Sequence, residues 1–206
     1  ANWPTVWTRD IAYATHLGLG MWNVQACMKS LQARVRKGEV EQDTGTGGSW
    51  PISSDRVVWS VAAWEAYCLT GDGDWLLQAS RVLEKTCLKD EKVLTATGGL
   101  MRGESSFLDW REQSYPAWMT SADIGDSSSL STMILHAAAR KMLARMFREL
   151  GMEGKAREWD GKGEALSGVI EKFFRIPGSD LYGQYLYGRG YPVLSEKVDS
   201  LGNMLC

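Results

Sequence analysis

Apolar residues recur along most of this chain at spacings of three and four, the period of an amphipathic helix. The pattern predicts a short helix from Ile11 to about Leu17. A turn through Gly18 and Gly20 leads into a second, with Val24, Cys27, Met28, Leu31 and Val35 on one face. Ser54 or Asp55 stands where a third would be capped, carrying Val57, Val61, Trp64 and Cys68 and stopping at Gly71. Asp72 opens a fourth, with Trp75, Leu76, Ala79, Val82 and Leu83. A fifth runs from about Ser128 to Leu150 and ends at Gly151. A sixth carries Trp159, Leu166, Val169, Ile170, Phe173 and Phe174 and stops before Pro177.

The links between these helices alternate in length. Those at Gly18–Gly20, Thr70–Gly73 and Gly151–Gly154 are short and make antiparallel hairpins. Those at Lys37–Ser53, about Lys92–Ser127 and from Ile176 onward are long. Antiparallel helices alternate direction, so all long links emerge at one end, where the segment before the first helix also opens. Loops on a rigid scaffold are where sites sit. The expected fold is all-α: antiparallel helical hairpins in a single domain over residues 1–206, with no interdomain linker.

Composition narrows the function classes. Hydrophobic residues make up 44% and charged residues 23% of the 206, as in ordinary globular chains. A net charge of −2 gives no electrostatic footprint for nucleic acid. No apolar run approaches the roughly 20 residues that span a bilayer, so no membrane partner is expected. No signal-peptide pattern opens at Ala1, and a first residue other than Met fits a processed or trimmed chain. Cys27, Cys68, Cys87 and Cys206 form no CxxC unit, so no zinc site is implied. Cys27 and Cys68 read as small buried hydrophobes, and His16 and His136, both among apolar helical residues, as core histidines. Ten tryptophans supply flat apolar area suited to a core or to a sugar-binding cleft.

Three stretches carry candidate chemistry. Trp7-Thr8-Arg9-Asp10 pairs a planar fork of donors with two acceptors, a combination able to grip vicinal sugar hydroxyls; the competing explanation is a helix-terminal salt bridge. Gly45-Thr46-Gly47-Gly48-Ser49-Trp50-Pro51 lacks the Gly-Lys-Ser/Thr ending of a phosphate loop and reads as a glycine-rich turn presenting Trp50, with Asp55 beyond it as a helix cap. The densest stretch, Arg102 to Trp118, holds Glu104, Asp109, Trp110, Arg111, Glu112 and Tyr115. A carboxylic acid against aromatic walls has its pKa raised and suits general-acid work, whereas a neighbouring arginine lowers it. Asp109 and Glu112, if locally helical, lie about 5–6 Å apart at Cβ. That is too close for an inverting pair at ~6.5–9.5 Å.

The segment Trp7-Thr8-Arg9-Asp10 before a helix resembles the corresponding segment of glucoamylase-type six-hairpin glycosidases, in which the Arg-Asp pair holds the terminal sugar. Ser49-Trp50-Pro51, Asp55-Arg56-Val57-Val58-Trp59 and Glu104 through Glu112 are similar to the matching loops of bacterial members of that superfamily. Asp109 is similar in placement to the general acid of processing-glucosidase and trehalase relatives. The resemblance implies a partial (α/α)6 toroid with about three of six hairpins. It implies an inverting, exo-acting glycoside hydrolase with a carbohydrate substrate and no cofactor, in which Asp109, or else Glu112, protonates the leaving oxygen. Trp7, Arg9, Asp10, Trp50, Trp110, Arg111 and Tyr115 would bind the sugar. The catalytic base of such a toroid falls near its C-terminal end, beyond Cys206. The exposed helix faces of half a toroid favour self-association or cover by a C-terminal half, and a periplasmic or extracellular setting is implied. The alternative from another class is a non-catalytic carbohydrate-binding or helical interaction protein.

Overall fold

A computed structural model describes residues 5–45, 47–106, 115–188 and 193–205. It is mostly helical. Helix α1 (Thr8–Ala14) runs into a π-helical turn (Thr15–Leu19) and then α2 (Gly20–Ala33). Gly18, at φ 142°, breaks the helical path between them. The two helices touch each other as well as α3 (Trp59–Thr70), which the predicted hairpin requires. Helix α4 (Gly73–Leu94), α6 (Leu130–Glu149) and α7 (Glu153–Phe174) follow, with a short α5 (Ser121–Asp126) before α6 and α8 (Ser200–Leu205) at the end.

Helix ends fall where local chemistry puts them. Asp72 caps α4, its Oδ1 accepting from the backbone N–H of Asp74 and of Trp75 at 3.0 Å each. Gly71 (φ 64°) and Gly151 (φ 70°) adopt the left-handed conformation that ends α3 and α6. Asp55 does not cap α3; a 3-10 turn (Arg56–Val58) precedes that helix and the carboxylate is engaged elsewhere. Helix α5 lies inside the second long link. It is closed by a Thr120–Asp123 capping box, a device readable in the sequence as Thr-x-x-Asp.

Among the described residues four two-residue strands supplement the helices. β1 (Val35–Arg36) pairs antiparallel with β2 (Glu39–Val40) across Lys37-Gly38, both at positive φ as a tight primed hairpin turn demands. β3 (Ser128–Ser129) pairs with β4 (Tyr185–Leu186), joining the N-terminus of α6 to the segment after α7.

The core is built on tryptophans with their N–H groups satisfied. Trp59 donates to the Leu31 carbonyl at 3.0 Å and Trp75 to that of Ala63 at 2.9 Å, their rings 6.1 Å apart. Trp159, Leu83, Met146 and Phe147 extend this cluster across α4, α6 and α7. A second cluster of Leu94, Leu130, Met133, Leu166, Ile170 and Phe174 lies nearer the long loops. Helix α7 packs closely on α6 at Gly163, where a Cβ would come within 2.8 Å of Lys141 Cγ. His136 is buried as expected, but His16 is exposed and sits 3.4 Å from Glu65. Cys27 is buried, whereas Cys68 is exposed. The turn they border carries solvent-facing apolar residues: Leu17 at 79%, Met21 at 75% and Trp22 at 89% exposure. That is why apolar neighbours misdirected the reading of His16. No helix among the described residues is long and apolar enough to cross a membrane.

Removal of the α4 cap by Asp72→Ala is expected to cost about 1 kcal/mol in urea unfolding, and Asp72→Ser to restore most of it. An Asp72→Ala protein as stable as the parent would show that the cap contributes nothing.

Candidate functional site

The long links meet at one end of the helices and share hydrogen bonds. Glu104 N–H donates to the Ile52 carbonyl at 3.0 Å, Ser54 Oγ to that of Arg102 at 3.0 Å, and Gly103 N–H to that of Ser127 at 2.8 Å. His136 Nε2 donates to the Ser54 carbonyl at 2.9 Å, which fixes its tautomer because a carbonyl only accepts. Burial, with Arg140 alongside, pushes that histidine down to about 3, so it stays neutral.

Three buried carboxylates organise this end. Asp43 accepts the Thr8 N–H on Oδ2 (2.7 Å) and Arg34 on Oδ1 (3.0 Å), placing a negative charge at the N-terminus of α1, where the helix dipole favours it. Burial nevertheless pushes its pKa up, against Arg34 and the Thr8 N–H. Asp55 receives Gln42 at 2.7 Å and Arg9 at 3.5 Å on Oδ1, and the Ser106 hydroxyl at 2.6 Å on Oδ2. One carboxylate thus joins the first helix, the first long link and the second.

Glu104 occupies a backbone cradle. Its Oε2 accepts the Gly47 N–H at 2.6 Å, and its Oε1 meets the Ser53 hydroxyl. Ser53 Oγ already accepts from the Gly45 N–H at 2.9 Å and donates to the Gly48 carbonyl at 2.5 Å. A hydroxyl has one hydrogen, so that of Ser53 is shared between the Gly48 carbonyl and Glu104 Oε1, both within its reach. Burial, the largest influence, pushes the Glu104 pKa up, against the Ser53 hydroxyl and the Gly47 N–H, which favour the carboxylate. A Cβ on Gly45 would fall 1.5 Å from Glu104 Oε1, so the glycine-rich turn exists to let this carboxyl in.

The expected sugar-binding residues divide. Trp7 is half-buried with the Arg9 guanidinium 5.6 Å from its ring centroid. Arg9 points inward, 2% exposed, and Asp10 outward into solvent. Adjacent helical residues diverge by about 100°, so the two side chains do not grip one ligand together. Trp50 turns away toward α4, donating to Asp90 Oδ1 at 3.1 Å, with Arg56 5.2 Å and Lys89 4.9 Å from its ring. Asp90 is itself paired with the buried Arg56 at 2.7 Å. Tyr115 is buried, its hydroxyl accepting the Ser105 N–H at 2.8 Å and its ring 5.0 Å from Tyr185; burial pushes its phenol up. Asp109, Trp110, Arg111 and Glu112 lie outside the described residues. Asp43, Arg34 and Gln42 were not singled out by sequence reasoning, and nothing local distinguishes them. The close glycines at 45, 47 and 48 were the available signal for a tight approach.

Among the described residues no group of three or more His, Cys, Asp or Glu side chains gathers as a metal site. No protein-family model matches the chain, and no curated protein matches it.

Glu104→Gln keeps both partners of the cradle and should change stability little near pH 4. Glu104→Ala leaves the Gly47 N–H orphaned, at about 1–3 kcal/mol. The folded-state pKa is raised, so the contribution of the neutral acid is full below the unfolded value of about 4.3 and is lost as pH rises through the folded value. The advantage of Glu104→Gln over the parent should therefore grow from pH 4 to pH 7 in urea titrations. His136 has the opposite sign: its lowered pKa makes stability present above about pH 6.5 fall away toward pH 3. A pH-independent difference between Glu104→Gln and the parent would mean that folding leaves the Glu104 pKa unshifted.

Proposed function

We propose that this chain is a carbohydrate-active protein of the six-hairpin glycosidase kind, an inverting hydrolase of glycosidic bonds whose helices form part of an (α/α)6 toroid. The observation that carries the reading is the joining of the Trp7–Asp10 segment, the first long link and the second at one end through Arg9, Asp55 and Ser106. These are the segments on which the resemblance rests. In this reading Arg9 fixes the Trp7–Asp10 turn from within, and the exposed Asp10 and half-buried Trp7 are what a sugar meets. Tyr115 holds the chain before Asp109 by receiving the Ser105 N–H. Asp109, or else Glu112, delivers the proton to the leaving oxygen, with Trp110 and Arg111 beside the sugar.

Inversion also needs a base that activates water on the opposite face of the sugar. Asp43, Asp55 and Glu104 are buried, with every carboxylate oxygen already receiving or giving a protein hydrogen bond. None of the three is placed for that work, so the base is assigned outside them. The same observation favours a second reading, a carbohydrate-binding protein without turnover.

The 206-residue chain alone is expected to hydrolyse aryl glycosides slowly or not at all, since the acid by itself contributes only about 10²–10⁴-fold. Where the reading frame continues past Cys206, the longer product should turn them over and lose at least about 10²-fold with Asp109→Asn. Full turnover by the short chain would place both carboxylates within it. An active longer chain indifferent to Asp109→Asn would remove Asp109 from the mechanism, and sugar binding without hydrolysis by either chain would establish the second reading.

A further inference from the structure

A cavity of about 350 Å³ opens at the loop-rich end, between the segment after α4, the N-terminus of α6 and the segment after β4. It is separate from the Asp55 and Glu104 cluster, whose side chains do not line it. Leu100 and Leu186 give it apolar walls, and Thr95 and Thr97 stand exposed at its rim. Arg102 and Asp126 line it as an ion pair, Nη1 to Oδ1 at 2.9 Å, each a little over a quarter exposed. Tyr187 also lines it, and the ring of Trp118, 57% exposed, lies 5.7 Å from the Tyr187 ring.

We infer that this cavity is a binding subsite for a neutral pyranose unit, with Arg102 and Asp126 addressing its hydroxyls and Tyr187 its C–H face. The inference rests on the carbohydrate reading above and extends it to a place that reading does not use. Three features select the ligand class. The volume is at the small end of ligand pockets, right for one sugar ring and too small for an extended chain. Among the described residues the charged lining groups are one cation and one anion in contact, which offer an anion no excess of positive charge. A sugar hydroxyl both donates and accepts, and a guanidinium–carboxylate pair offers both functions side by side. Arg102, which lines the cavity, gives one N–H to Asp126, and a guanidinium has further N–H donors. Trp118, outside the cavity but against Tyr187, extends the aromatic surface along which a second ring would continue.

The test is a titration of the ¹⁵N-labelled full chain with methyl glucoside, methyl galactoside and methyl mannoside, and separately with inorganic phosphate. At least one neutral glycoside should shift the amides of Thr97, Arg102 and Ser128. Arg102→Ala and Tyr187→Ala should each weaken that response about tenfold or more, while Tyr187→Phe, which keeps the ring, retains it. Amide spectra of each variant report whether it is folded, and Tyr187→Phe keeps the test decisive if Arg102→Ala is not. Phosphate shifting these amides while the glycosides do not would overturn the inference. So would glycoside shifts confined to Trp7, Asp10 and Gly45 and abolished by Asp10→Ala, an outcome that leaves the proposed function standing. Glycoside shifts at Thr97, Arg102 and Ser128 with no hydrolysis by either chain length would sustain the subsite and remove the hydrolase.

Discussion

The loop-rich end depends on one carboxylate. Asp55 ties α1, through Arg9, to Gln42 in the first long link and Ser106 in the second. Long connections that dive beneath the ends of a helical array bring backbone and side-chain polar groups into a place without water. An unpaired group there is costly, and an unpaired charge more so. Asp55 is 3% exposed and Arg9 2%, so loss of either removes an opposite charge from a buried ion. Asp43 and Glu104 apply the same solution on either side, one at the start of α1 and one inside the Gly45–Gly48 turn. The long links are therefore built parts of the fold, with defined interiors.

What the sequence disclosed and what it concealed follow from the range of the interactions. The helices, the Asp72 cap and the stops at Gly71 and Gly151 were legible because each depends on residues within about one turn. The cradle was not, because Gly47 and Glu104 are 57 positions apart and neither carries a mark of the other. Trp50 was read as presented outward, but its partner Asp90 lies 40 positions on and draws it against α4. Asp55 was read as a cap because an aspartate before a helix is usually one; a contact 46 positions away, to Arg9, decided otherwise. The short α5 was missed inside a link that was treated as unstructured, although its Thr-x-x-Asp capping box was in plain view.

Burial also separates two uses of polar residues that the sequence runs together. Arg9 and Asp10 are neighbours in the chain, yet one supports the scaffold from within and the other meets solvent. Arg102 and Glu104 repeat the pattern: Glu104 is sealed in its cradle while Arg102 faces the cavity beside Asp126. In both cases a buried member sets the backbone that its exposed neighbour stands on. Substitutions at the buried member alter the position of the exposed one, and their effects on ligand binding are indirect.

The distribution of tryptophan has an optical consequence. Trp59, Trp75 and Trp159 are within 3% of full burial and emit from a dry, rigid surround, out of reach of an aqueous quencher. Trp22 at 89% exposure and Trp118 at 57% are the most solvent-facing indoles among the described residues, and they lie in different parts of the fold: Trp22 in the first turn of α2, Trp118 beside Tyr187. A Trp22→Phe protein loses the more accessible of these two emitters, so among the described indoles more of what iodide or acrylamide quenches comes from beside Tyr187. The native chain thereby contains its own fluorophore for that surface, once the competing indole is removed.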